Sequence, residues 1–462
     1  MAPRNPTETS LSPSHPSNWE RVGEVARMSP YALSSMEVWK LMHAQRFLRG
    51  FALATIGAVV AGMTLAACGT GGSSANKALK IATLLPVSGT DAGVGQPTQY
   101  GVDLAVSQAS LPNGYTLSVL HENYEGSAGP DTTIGATVTR QIVGDSSVVA
   151  VVGPFNSGIA KVAIPITNAA GLTMISPTNT NPGLTQEAYA AANGINFALL
   201  HPAGKANAYF RVCGTDVVQG RVDGDVAAGP PINAKTAYVT DDETVYGKGL
   251  AAQFTKEFEA KGGRVIGTAE ITGTQISSAP ALATTIANAN PDVVFYGGVT
   301  SQGGGAIKKD LVAKGYNKPM VGGDGIADDP AWLTTAGSGA VNTYGTVAAP
   351  GVSTLTSAAA TAFKSAYTSY VASKPNNTLL PYSVQAYDAA NIEITAIKNL
   401  INAGKDVTRA NVRDQVAAIN YSGLTGDISF DANGDNAGTK AFSVYVVNNT
   451  QQWVFLSQVN VQ

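Results

Sequence analysis

Charge, cysteine and histidine are all scarce in this chain. Only 13% of its 462 residues are Asp, Glu, Lys or Arg, and the net charge is -3. No long basic run occurs, which argues against nucleic acid as a partner, because phosphate binding needs clustered cations. Two cysteines, Cys68 and Cys213, cannot build a disulfide framework or a zinc site. After Cys68 the histidines are His121 and His201, and neither sits in a metal-ligand spacing. No G-x-S-x-G elbow announces a nucleophilic serine. Gly303-Gly304-Gly305 with Lys308 lacks the spacing of a phosphate loop. Asp431 to Asp435 begins like a calcium loop, but the sixth position is not Gly and Phe442 stands where the twelfth-position Glu belongs. A polar hairpin turn is the better reading there. Neither an enzyme nor a bound cofactor or metal is expected.

What is present begins with a leader. Arg46 and Arg49 precede an almost unbroken apolar stretch from Phe51 to Leu65, followed by Ala66-Ala67-Cys68-Gly69. A positive flank, an apolar segment and small residues at a cleavage point make a secretory signal. The rival reading is a retained spanning helix, since about 20 apolar residues cross a bilayer. Several Gly and Thr dilute the run, and Leu65-Ala66-Ala67-Cys68 resembles a bacterial lipoprotein signal. That resemblance implies cleavage before Cys68, a lipid on its thiol and an extracytoplasmic anchor at the cell membrane. Each buried methylene of such a lipid contributes roughly 0.8 kcal/mol. Residues 1–41 are polar and Ser- and Pro-rich, so Met42 or Met36 is a candidate start. Residues 42–67 are the expected signal, and 68–77 a Gly/Ser tether.

From Lys80 onward, short apolar runs alternate with amphipathic ones. Strand patterns at 80–85, 116–120, 148–152 and 172–175 alternate with helical ones near 97–105, 134–143 and 159–170. The alternation restarts after Gly220, with strands at 236–239, 264–267 and 292–296 and helices at 247–260, 281–289 and 307–314. Helical patterns at 358–371, 382–403 and 407–418 follow, then strands at 426–430, 442–448 and 453–458. Two such blocks imply an α/β protein with two open, mostly parallel sheets covered by helices. Ligands of such sheets sit at the carboxyl ends of strands.

Those strand ends are unusually polar and glycine-rich. Leu85-Pro-Val-Ser-Gly89, Val151-Val-Gly-Pro-Phe-Asn-Ser157 and Met174-Ile-Ser-Pro-Thr-Asn-Thr-Asn-Pro-Gly-Leu-Thr185 come from the first block. Phe210-Arg-Val-Cys-Gly-Thr-Asp216, Tyr246-Gly-Lys-Gly-Leu250, Tyr296-Gly-Gly298 and Gly423-Leu-Thr-Gly-Asp-Ile-Ser-Phe-Asp-Ala-Asn-Gly-Asp435 follow. Singly, such residues are ordinary helix N-caps. In this order they resemble the branched-chain amino acid-binding proteins of ABC transporters, the type I periplasmic binding fold, from about Leu79 to the C-terminus.

The resemblance implies two Rossmann-like lobes with parallel central sheets, joined by a three-crossover hinge near Cys213, Tyr344 and Gly426. Lobe one would hold 78–213 and 347–425, and lobe two 214–346 and 426–462. An amino acid would be captured by closure and delivered to an ABC permease by a monomeric protein. Ser157 and Thr180 would meet its carboxylate through hydroxyl and N–H groups, helped by the backbone of Phe155 and Thr178. The Thr178 carbonyl and Asp324 would receive its ammonium, and Tyr246 would close over it. Val299 and Val94 stand where the family often carries aromatics, and this alters the side-chain pocket. Cys213 has no partner and reads as a buried structural thiol. A sensor of the same fold for amides or urea, and a surface hydrolase, are the competing readings.

Overall fold

The computed structural model describes residues 77–271 and 278–461. The leader, Cys68 and nearly all of the tether lie outside the described residues. Among the described residues no helix is long and apolar enough to cross a membrane.

Two sheets organise the chain. The first is wholly parallel, in the order Thr116–Glu122, Ala78–Leu84, Val148–Val152, Thr173–Ser176, Tyr209–Arg211. Its central run, Val-Val-Ala-Val-Val, is buried at every residue, as a strand covered on both faces must be. Val149 and Val152 pack with Val102, Ile392 and Ile397 on one side. Val148 and Val151 pack with Ile142, Ile159 and Ile164 on the other. The covering helices are Ala92–Gln108 and Pro381–Asn402 on the first side, and Thr132–Gly144 and Ser157–Ala169 on the second.

The second sheet has seven strands. Arg264–Glu270, Thr236–Asp241, Val293–Gly297, Met320–Gly322 and Thr343–Val347 run parallel. Lys440–Val447 and Trp453–Val461 then add an antiparallel edge. Alternation sorts its faces: Val293 and Phe295 join Leu250, Phe254 and Phe258, while Val294 and Tyr296 join Ile307, Leu311 and Trp332. Phe254 stacks on Phe295 with centroids 3.9 Å apart. Each such fully buried ring is worth about 2 kcal/mol in apolar burial.

The expected strands and helices appear close to their anticipated limits, but the crossings shift. Tyr344 is a mid-strand residue, and the chain leaves the second sheet only after Val347. Gly426 does not open the second lobe. It begins Gly426–Ser429, which pairs with Asn420–Gly423, and Ile428 is buried in the core of the first sheet. Phe430 then stacks on Phe210 at 4.9 Å. These apolar side chains hold the tail on the first sheet as far as Phe430, and the crossing begins with the 431–436 turn. That turn is the anticipated polar one, with Asp431 accepting from the N–H groups of Asn433 and Asp435.

Among the described residues, the longest helix that escaped the periodicity is the one after Thr215. Asp216–Ala228 buries Asp216, Gln219, Gly220, Asp223 and Gly224 beside only two apolar residues, Val222 and Ala227, so its inner face is mostly polar and small. The glycines permit close helix packing: a Cβ at Gly220 would lie 2.5 Å from Gln253 Cβ on the Val245–Ala260 helix.

Candidate functional site

The loop after Val152 is set before any ligand is considered. Gly153 has φ +134°, and a Cβ there would lie 2.4 Å from the Leu84 carbonyl oxygen, so only glycine fits. Tyr124, fully buried, donates its hydroxyl to Asn156 Oδ1 at 2.7 Å. It accepts from the N–H groups of Phe155 and Asn156 at 3.1 and 3.3 Å. Ser157 therefore enters the first turn of the Ser157–Ala169 helix in a fixed attitude, where free N–H groups favour an anion. It is 2% exposed.

Across from it stands the start of the Val245–Ala260 helix, capped by Thr244, whose Oγ1 accepts from the Gly247 N–H at 2.9 Å. Ser157 and Tyr246 line one cavity of about 300 Å³ with Asn156, Ile159, Thr244 and Val299. It falls at the lower end of the range typical of small-molecule sites, about 300 to 1,000 Å³. Val299 is thus a cavity wall.

Asp324 is reached through Tyr246. The Tyr246 hydroxyl donates to Asp324 Oδ1 at 2.9 Å and accepts from the Gly325 N–H at 3.0 Å. Tyr382 donates to the other Asp324 oxygen at 2.5 Å. Burial drives the Asp324 pKa up, against the bonds from Tyr382, Gln219 and Tyr246. Asp324, Phe155 and Val94 share a second cavity of about 20 Å³, whose walls include Tyr382. The Phe155 ring meets the Tyr382 ring edge-on at 5.8 Å.

The six anticipated residues therefore divide into three groups. Ser157 and Tyr246 share the larger cavity, and Phe155 and Asp324 the smaller one. Thr178 and Thr180 lie behind, 3% and 1% exposed. Thr178 Oγ1 donates to the Phe155 carbonyl at 2.7 Å, and the Thr178 N–H is held by Ser176 Oγ. The Phe155 N–H is held by Tyr124 and its carbonyl by Thr178 and Asn179. These backbone groups serve the loop in this conformation, and Phe155 presents its ring to the smaller cavity. The Thr180 hydroxyl faces Asp216 without a well-formed bond, and its carbonyl accepts from the Asp216 N–H at 2.8 Å. Cys213 is buried, as anticipated, with its thiol on the Asn179 carbonyl.

Tyr382 and Tyr124 are the contributors that sequence reasoning missed. Tyr382 follows Pro381 at a helix start, an ordinary sequence context, and its partner is 58 residues away. Acids carried by loops of both sheets also influence one another. Asp91 is pushed up to about 7, first by burial, then by Glu125, with Asp329 and Asp242 adding. A third cavity of about 400 Å³, lined by Thr90, Thr300, Ser301, Thr334 and Thr335, contains none of the six.

Comparison with known proteins places this geometry. The sequence family described as "Periplasmic binding protein" matches residues 78–452. Leu/Ile/Val-binding protein homolog 2 of Brucella abortus is 27% identical over 369 residues, covering 76% of this chain and 85% of that one. The leucine binding protein LivK of Thermotoga maritima superposes with a TM-score of 0.69 at 22% identity, over 82% of this chain and 98% of that one. The branched-chain amino acid transporter substrate binding protein LivJ of Streptococcus pneumoniae, solved with isoleucine, gives 0.67 at 25% identity over 83% and 99%. The type I periplasmic binding fold, with two mostly parallel central sheets, is thereby shown.

Proposed function

The chain belongs to the periplasmic binding protein family, and we propose that it is an extracytoplasmic, lipid-anchored carrier of a small amino acid. The ligand class is branched-chain or similar, as the names of its relatives suggest. Delivery is to an ABC permease, by a monomer tethered through Cys68. The observation that supports this best is the opposition of a buried helix-start hydroxyl, Ser157, to Tyr246 across one cavity, with Asp324 directly behind that phenol.

The mechanism is closure. The ligand carboxylate meets the Ser157 helix start, where hydroxyl and N–H groups converge on an anion. Its ammonium displaces a phenol from Asp324 and supplies the cation which that buried carboxylate lacks. An adjacent positive charge favours ionised Asp324, reversing the effect of burial. The hinge consists of the segments 212–215, 348–357 and 430–439, where the chain passes between the sheets. To turn a 1:99 balance of closed and open forms into 99:1, the ligand must bind the closed form about 10⁴-fold more tightly.

A thermal-shift screen of the protein against amino acids, amides and urea tests the reading. A true ligand at 100 times its Kd adds about 2.7 kcal/mol of stability. A screen in which isoleucine, leucine and valine leave Tm unmoved while an amide or urea raises it would reject the amino-acid reading.

A further inference from the structure

Arg211 is fully buried at the end of the strand Tyr209–Arg211. Its Nε meets Asp435 Oδ1 at 2.6 Å. Its Nη1 donates to the carbonyls of Asn179 and Asn181 at 2.9 and 2.8 Å. Its Nη2 donates to Thr185 Oγ1. Gln186 Nε2 reaches the second Asp435 oxygen at 2.7 Å. Main chain and amide close the knot: the Arg211 N–H donates to the Gly434 carbonyl at 3.0 Å, and Asn436 Nδ2 to the Val212 carbonyl at 3.0 Å.

Three segments meet at this one guanidinium. They are the 179–186 loop that carries Thr180, the crossing that starts at Val212, and the crossing that contains Asp435. The loop run Thr178-Asn179-Thr180-Asn181 has no apolar side chain, so polar contacts must set its shape. A peptide unit is planar and trans, so a carbonyl and the next N–H point oppositely. With the Asn179 carbonyl drawn to Arg211, the Thr180 N–H is turned away from it. The next carbonyl, that of Thr180, is held by the Asp216 N–H, and the next, that of Asn181, again by Arg211. Arg211 thus fixes the 179–180 and 181–182 peptide planes, and the Asp216 N–H holds the 180–181 plane between them.

We propose that Arg211 and Asp435 are a positioning pair for ligand capture: they hold the Thr180 loop in the attitude a ligand meets and tie that attitude to two of the three crossings. The proposal rests on the cleft being the ligand site. A pair that only stabilised the fold could be replaced without effect on binding, since buried ion pairs often exchange for apolar residues of similar volume at no loss of stability.

The test uses the full chain carrying Arg211→Met with Asp435→Leu, and separately Arg211→Lys, which keeps the charge toward Asp435 but loses the two-carbonyl fork. Should the double variant fail to fold, Arg211→Lys carries both readouts. Hydrogen exchange is followed at the Asn179, Leu184 and Asp216 amides, and isoleucine binding by calorimetry. The expected result is Tm near that of the wild type, loop exchange accelerated, and isoleucine Kd raised by at least about tenfold, a loss of about 1.4 kcal/mol. Unchanged loop exchange in a folded variant overturns the proposal, and so does faster exchange with isoleucine affinity kept. A wild type that ignores isoleucine would instead count against the amino-acid function, and the exchange readout would still decide whether the pair holds the loop.

Discussion

Two buried aspartates in this molecule live under opposite rules. Asp435 loses solvation on burial, yet the Arg211 guanidinium and bonds from Gln186 and Thr185 hold its pKa below the ordinary range. Asp324 loses solvation too, but its bonds come from hydroxyl and amide groups with no cation among them, and its pKa rises. The first is a completed ion pair, and the second a carboxylate waiting for a cation. The difference separates a pair that holds a loop in position from a carboxylate left to receive a ligand's charge.

Breaking the completed pair has the largest expected effect. Asp435→Ala leaves Arg211 buried without a counter-charge and is expected to cost about 3 to 5 kcal/mol in denaturant unfolding. A loss under 1 kcal/mol would mean that water reaches Arg211. Asp324→Ala is expected to do the reverse. Stability at pH 8 holds or rises, while amino-acid affinity measured by calorimetry falls by about 30-fold or more, the cost of removing one partner of a buried charge pair. Unchanged affinity would show that the ammonium goes elsewhere.

Titration sharpens the contrast. Burial pushes Asp216 up to about 8, with Asp324 adding to it, and Asp328 up to about 7, with Asp329 adding. Asp91 joins them at about 7. An unfolded Asp ionises near 3.9. Between that value and about 8 the folded chain holds protons that the unfolded chain has released, so stability falls as pH rises. Asp435 has the opposite sign: its contribution is present above the unfolded value and is lost only as pH falls below about 4. Unliganded protein should therefore melt higher at pH 5.5 than at pH 8, by on the order of 5 °C. A flat profile would mean that these acids are solvated.

Smaller changes probe the edges of the comparison. Tyr382→Phe removes one bond to Asp324 and should cost about 1 kcal/mol, and small-angle scattering should show a more open unliganded form. Lys248→Ala should change stability by less than about 0.5 kcal/mol, because its bridges to Glu243 and Glu270 are solvent-exposed.

Sequence patterns were most legible where apolar residues do the work. Val148–Val152 and Ala358–Val371 have the limits read from the chain, because one is continuously apolar and the other keeps one apolar stripe. Asp216–Ala228 was illegible for the converse reason, since its buried face is mostly acids, an amide and glycines, with only Val222 and Ala227 apolar. Ser157 and Tyr246 lie in polar segments at strand ends, and it was the family resemblance of those segments that implied roles for them. The clasp of Tyr382 on Asp324 could not, because neither side chain signals a partner 58 residues away. Arg211 did leave a trace. An arginine inside Tyr-Phe-Arg-Val demands a buried partner, and the acidic turn at 431–435 was in view. Only the fold brings the two together across 224 positions.

The most direct measurement compares leucine with its two halves: 4-methylpentanoate, which lacks the ammonium, and 3-methylbutylamine, which lacks the carboxylate. Titrated into the full chain, leucine should bind, and each half should be weaker by about 100-fold or more, the effect of removing one charged contact. If 4-methylpentanoate binds as tightly as leucine, Asp324 is not an ammonium receptor and the two-ended grip is wrong.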